Sequence, residues 1–133
     1  MKKVLFLGLF LYLAALTVSA EDFYIKDSCG DWHSPSTWKN GKVPTENDNV
    51  IIEGEIICNI AFVCKNLTIE KDAILRINCD YSQSCIVRGD AVNKGQIFID
   101  AQSTIEFRRE LQNLNIFHNC GKIELLNYLR LVD

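Results

Sequence analysis

The stretch Asp31-Trp32-His33-Ser34-Pro35-Ser36-Thr37-Trp38-Lys39-Asn40-Gly41-Lys42-Val43-Pro44-Thr45-Glu46-Asn47-Asp48-Asn49-Val50-Ile51-Ile52 decides how the rest of the chain is read. It gathers both tryptophans, both prolines and an Asn-Gly step into a segment too irregular for a helix or a strand. At Asn49 the character changes, and Asn49-Val50-Ile51-Ile52 opens a series of short β-like runs that lasts to the C-terminus. The physical reading is a lid. Two large aromatic rings cover the open end of a stack of strands, and the prolines fix the loop that carries them.

Downstream of the lid an apolar-polar-apolar triplet recurs: Leu67-Thr68-Ile69, Leu75-Arg76-Ile77, Ile105-Glu106-Phe107, Leu114-Asn115-Ile116, Ile123-Glu124-Leu125 and Leu129-Arg130-Leu131. Such alternation marks a strand with one buried face. The middle positions Thr68, Val87 and Glu106 are 19 residues apart, with Glu124 following after 18, and a second series runs Arg76, Phe98, Asn115. The turns repeat too: Asn93-Lys94-Gly95 is echoed by Asn119-Cys120-Gly121. Two ladders at a common period near 20 predict an all-β solenoid turning two or three corners per coil, its core formed only by stacking. The alternative is an antiparallel β-sandwich, which short, evenly spaced strands also allow. Arg108 to Asn113 fits neither pattern and reads as a helical turn or a loop at a corner.

Trp32, then Pro35-Ser36-Thr37-Trp38, then Gly41-Lys42-Val43-Pro44, then Asp48-Asn49-Val50-Ile51 resembles the entry segment of secreted right-handed parallel β-helix proteins. These include adhesin-like surface proteins and the extracellular domain family named for its eight glycines. With the triplets and Asn-x-Gly turns, the resemblance covers roughly residues 31 to 127. It implies a right-handed β-helix and a non-catalytic surface, matrix or adhesion role, with carbohydrate as one possible ligand.

Upstream, Lys2 and Lys3, the apolar run Val4 to Leu16 and the small-residue site Val18-Ser19-Ala20 form a secretory signal over residues 1–20. Residues 21–48 are then the cap segment, and 49–133 the coils. Removing the two leader lysines from 14 basic residues leaves 12 against 17 acidic ones, a net charge of −5 for the mature chain. No basic stripe is read along the chain, and nucleic acid is not an expected partner. No membrane span is expected after cleavage, and the expected location is extracellular or at the cell surface.

Six cysteines behind a signal read as a disulfide framework: Cys29, Cys58, Cys64, Cys79, Cys85 and Cys120. Cys58 to Cys79 and Cys64 to Cys85 both span 21 residues, close to a coil. Equivalent residues of adjacent parallel coils lie about 4.8 Å apart, within disulfide reach. These two pairs are therefore read as rungs, with Cys29 and Cys120 as a long-range pair or separate thiols. The competing pattern is two local loops, Cys58–Cys64 and Cys79–Cys85.

Trp32 and Trp38 are caps or, alternatively, a sugar-stacking platform. Asn66-Leu67-Thr68 is an N-glycosylation acceptor, provided that Asn66 lies at an exposed corner. Arg88-Gly89-Asp90 is an integrin-type tripeptide, but its place at a strand end favours a simple turn. His33 and His118 match no zinc spacing, and no metal or cofactor is expected. Asp72, Asp80, Asp90 and Asp100 sit beside turns rather than converging as acid and base, so no catalytic residues are assigned. The alternative function is the N-terminal part of a β-helix enzyme acting on polysaccharide. Expected partners are a carbohydrate or an extracellular protein. A solenoid ending at Leu129-Arg130-Leu131-Val132-Asp133 would also expose an apolar edge, so self-association or a continuing chain is expected there.

Overall fold

The computed structural model describes residues 19–80 and 82–126. The predicted leader, apart from its last two residues, and the C-terminal Leu129-Arg130-Leu131 coil edge lie outside the described residues.

The chain winds into a parallel β-solenoid of about four turns. A first sheet stacks β1 (Asp22–Tyr24), β3 (Asn49–Ile52), β6 (Asn66–Ile69), β9 (Ala91–Asn93) and β12 (Leu111–Asn113). A second stacks β2 (Cys29–Asp31), β4 (Glu55–Cys58), β7 (Ile74–Ile77), β10 (Gln96–Ile99) and β13 (Ile116–Asn119). A third holds β5 (Val63–Cys64), β8 (Ser84–Val87), β11 (Thr104–Phe107) and β14 (Lys122–Leu125). Neighbours in each sheet pair in parallel, as β3 with β6 and β7 with β10, which removes the antiparallel sandwich.

Runs of four residues cannot hold a strand conformation alone. Here each is fixed by the coils above and below, and alternate residues turn inward: β6, β7, β8, β10 and β11 all alternate half-buried with buried. The inward residues form continuous rows. Val50, Leu67, Ala91 and Leu111 run up the first sheet, and Ile56, Leu75, Ile97 and Phe117 up the second. Cys85, Ile105 and Ile123 run up the third. Each fully buried aliphatic side chain contributes about 1.5–3 kcal/mol, which is what makes so many short strands stable together.

Three sheets replace the two predicted ladders. Thr68 lies on the first sheet opposite Val92, whereas Val87 lies on the third opposite Phe107 and points inward. Glu106 with Glu124, and Arg76 with Phe98, are true rungs, but Phe98 continues to His118 rather than to Asn115. The cause is unequal coil length. Val50 meets Leu67, while Leu67 meets Ala91, so one fixed period drifts from sheet to sheet. Arg108–Asn113 resolves into a bend followed by β12.

The lid takes the place expected of it. A short 3-10 turn at Pro35–Thr37 delivers Trp38 beneath the first coil, and Trp32 and Trp38 are each 1% exposed. Trp32 stacks on Phe62 at 3.9 Å, and the two indoles meet edge to face at 5.4 Å. Trp38 Nε1 donates to the Trp32 carbonyl at 2.8 Å, so the polar atom of the buried ring is satisfied. Asp48 anchors the end of the lid: its carboxylate accepts from the backbone N–H of Glu21 and from the N–H and hydroxyl of Thr45.

The Asn-x-Gly turns also repeat, though at different corners. Gly95 precedes a second-sheet strand and Gly121 a third-sheet strand. In both places a Cβ would run into backbone carbonyls of the preceding coil, those of Glu70 and Ala73 or of Asp100 and Ser103, so only glycine fits.

The expected cysteine rungs do not match the register. Cys58 stands opposite Ile77, and Cys64 opposite Val87. A partner two residues along a neighbouring strand is about 8 Å away between Cα atoms, too far for Cys64 to reach Cys85. Cys29 and Cys120 belong to opposite edges of the second sheet, on β2 and just after β13, with three strands between them. That separation is about 19 Å, which excludes the long-range pair. No two of the six cysteine sulfurs lie at bonding distance in this structure.

Candidate functional site

The corner where the third sheet passes into the first carries a cleft of about 310 Å³, lined by Glu46, Asn47, Lys65, Arg88, Gly89 and Arg109, and by Ala20, the last residue of the predicted leader. Lys65 follows β5, Arg88 follows β8 and Arg109 follows β11, so three cations come from the same corner of three successive coils. Backbone rungs hold them in step. Lys65 N–H donates to the Asp48 carbonyl at 2.9 Å, and Gly89 N–H donates to the Lys65 carbonyl at 2.5 Å. Asn66 clamps the next turn: its Oδ1 accepts from Asp90 N–H at 2.8 Å while its Nδ2 donates to Asn49 at 2.9 Å.

The lining holds three cations and one carboxylate, an excess of positive charge on an otherwise acidic chain. The guanidinium groups are loosely held. Arg88 Nη1 lies 3.4 Å from Glu46 Oε2, and Arg109 Nε lies 3.7 Å from Asp90 Oδ1. Strong charge-assisted hydrogen bonds are shorter, about 2.8 Å, and exposed pairs of this kind stabilise little. Most of the N–H donors therefore stay available to a ligand. Bidentate donation to a carboxylate or sulfate is the chemistry such forks provide.

Two sequence candidates meet at this corner. Arg88-Gly89-Asp90 forms the turn itself, drawn tight by Lys65 and Asn66, and not a projecting loop. Asn66 is half-buried, with its side-chain amide engaged in an asparagine rung, and that engaged amide is the nitrogen a glycan would occupy. The other candidates lie elsewhere. Trp32 and Trp38 are buried in the lid, which leaves no ring face for a sugar. Asp72, Asp80, Asp90 and Asp100 are exposed at separate turns, and Asp72 takes a positive φ of 67°, as a turn residue does. Among the described residues, no group of three or more His, Cys, Asp and Glu is placed to hold a metal ion.

Glu46, Lys65 and Arg109 were missed by the sequence reading, and Arg88 was read only as a turn. The available signal was a basic residue directly after three of the four third-sheet strands: Cys64-Lys65, Val87-Arg88 and Phe107-Arg108-Arg109. A second outward feature also emerged only from the register. Arg76 bonds Glu55 at 2.5 Å and lies 4.4 Å over the Phe98 ring, which stacks on His118 at 4.2 Å. Both faces of Phe98 are thus covered by its own neighbours, and this column braces successive coils instead of offering a stacking platform.

Comparison with protein-family models, curated proteins and solved structures found no match. The solenoid therefore rests on the strand register, and the likeness to adhesin-like and eight-glycine proteins rests on the lid segment and its triplets alone.

Proposed function

We propose that this chain is a non-catalytic extracellular module that binds an acidic carbohydrate along the corner between its third and first sheets. One observation carries this reading: Lys65, Arg88 and Arg109 line a single cleft from three successive coils. Lys65 and Arg88 stand in register one coil rise apart, about 4.8 Å, and Arg109 lies one residue further along on the next coil. A row of cations with that spacing suits a chain of sugar units bearing carboxylate or sulfate better than one compact anion. A parallel solenoid hosts both binding modules and enzymes, so the site and not the fold supports the choice.

The test is binding to immobilised uronate-rich, sulfated and neutral oligosaccharides across a salt series. Acidic glycans should bind with an affinity that falls as salt rises. The triple variant Lys65→Ala, Arg88→Ala, Arg109→Ala should weaken binding roughly tenfold or more, with its melting temperature close to the parent's. Equal binding of neutral and acidic glycans, or an unchanged triple variant, would remove the cleft from this role. Cleavage products released from the same glycans would move the protein into the enzyme class.

A further inference from the structure

We infer that Cys79 and Cys85 are joined as a local disulfide that closes the corner between the second and third sheets. Cys79 lies just beyond the end of β7 and Cys85 within β8, and their Sγ atoms are 3.6 Å apart, in van der Waals contact. Both residues are buried, at 3% and 0% exposure. Neither backbone is free to drift. Cys79 N–H donates to the buried Ser103 hydroxyl at 2.7 Å, and that hydroxyl reaches back to the carbonyls of Ile77 and Cys79. Cys85 is fixed opposite Ile105 in the parallel ladder.

The coil below carries a pair with the same spacing in sequence: Cys58 ends β4 and Cys64 ends β5, both fully buried, but they stand opposite Ile77 and Val87, each two residues further from the corner. Once the register has removed Cys64–Cys85, Cys79 is the thiol in contact with Cys85. Cys79 Sγ also rests 3.4 Å from the Cys58 carbonyl oxygen, so the two corners pack directly on each other.

Formation needs an oxidant, and a disulfide-bearing compound or oxidoreductase supplies it by exchange. The thiolate of one of the two cysteines attacks one sulfur of that disulfide and expels the other as a thiolate, and the second cysteine then attacks the mixed disulfide and expels the remaining sulfur. Two protein S–H bonds are lost and one protein S–S bond forms while the S–S bond of the oxidant breaks, and its two sulfurs carry off the two electrons and the two protons as a pair of thiols. Exchange belongs to the stage before the corner is buried.

The experiment is peptide mapping of protein recovered from an oxidising compartment, with free thiols alkylated at once and digestion carried out without reductant. Cleavage after Tyr81 puts the two cysteines on separate peptides. A Cys79–Cys85 linked pair that separates on reduction is the expected result. Alkylated Cys79 and Cys85, or a Cys58–Cys79 or Cys64–Cys85 link, would overturn the assignment. The readout needs no variant and does not depend on glycan binding, so it stands or falls separately from the proposed function.

Discussion

At the N-terminal end of the solenoid the inward rows run into Trp32 and Trp38, each 1% exposed and packed with Phe23 and Phe62. In the last described coil, Phe117 and Ile123 hold the equivalent inward positions and are only half-buried, while Ile116 and Leu126 are 46% and 56% exposed. The strand patterns are alike at both ends, so alternation alone does not bury an inward side chain. A coil is dry only when something lies on both of its faces. In the middle that something is another coil, and at the N-terminal end it is a layer of rings held by a loop.

The sharpest way to break this comparison is Trp38→Ala. It removes a fully buried ring and the hydrogen bond to the Trp32 carbonyl, and it should destabilise by about 3–5 kcal/mol in equilibrium denaturation. A variant that melts with the parent would mean the lid only rests on the stack.

Asp48→Asn should come next, at about 1.5–3 kcal/mol near neutral pH, because it weakens three hydrogen bonds to a buried carboxylate. The effect carries a pH signature. Burial pushes the Asp48 carboxyl up, but donation from Thr45 and from the Glu21 N–H outweighs it and holds the pKa below the ordinary value. A lowered folded pKa gives stability that is complete above the unfolded carboxyl range, about pH 5, and is lost as pH falls through the folded value. The gap between parent and Asp48→Asn should therefore close on acidification, and a gap constant from pH 7 to pH 3 would show that the carboxylate is not the anchor.

The smallest effect belongs to the last described coil. Ile123→Ala should cost about 1 kcal/mol, well below the range for a fully buried aliphatic residue. A loss as large as that of Trp38→Ala would show the last coil to be covered in solution, and sedimentation of the parent would then identify a second copy as the cover.

The lid was legible because tryptophans and prolines are rare here and had to serve one place. The solenoid was legible because inward rows impose alternation on every strand. Sheet membership was not, since a triplet such as Leu67-Thr68-Ile69 looks the same on any sheet and only the corners tell them apart. The cysteines misled for a related reason. A spacing of 21 resembles a coil length, yet the rung from Cys58 ends at Ile77, two residues short of Cys79. The cleft was hidden most deeply, because Lys65, Arg88 and Arg109 become neighbours only after three coils are stacked in register.

The unequal coils also bear on what the fold can accept. The first-to-second corner is short from Ile52 to Glu55 and from Asn93 to Gln96, whereas the second-to-third corner runs from Ile77 to Ser84 in one coil and from Asn119 to Lys122 in another. Register survives both lengths, since it is set by the inward rows and not by the connections. Lengthening a surface loop carries only a slowly growing entropic penalty. The second-to-third corner is thus a natural insertion point, where a foreign peptide could be grafted, or a longer loop acquired by descent, while every rung above and below keeps its partner.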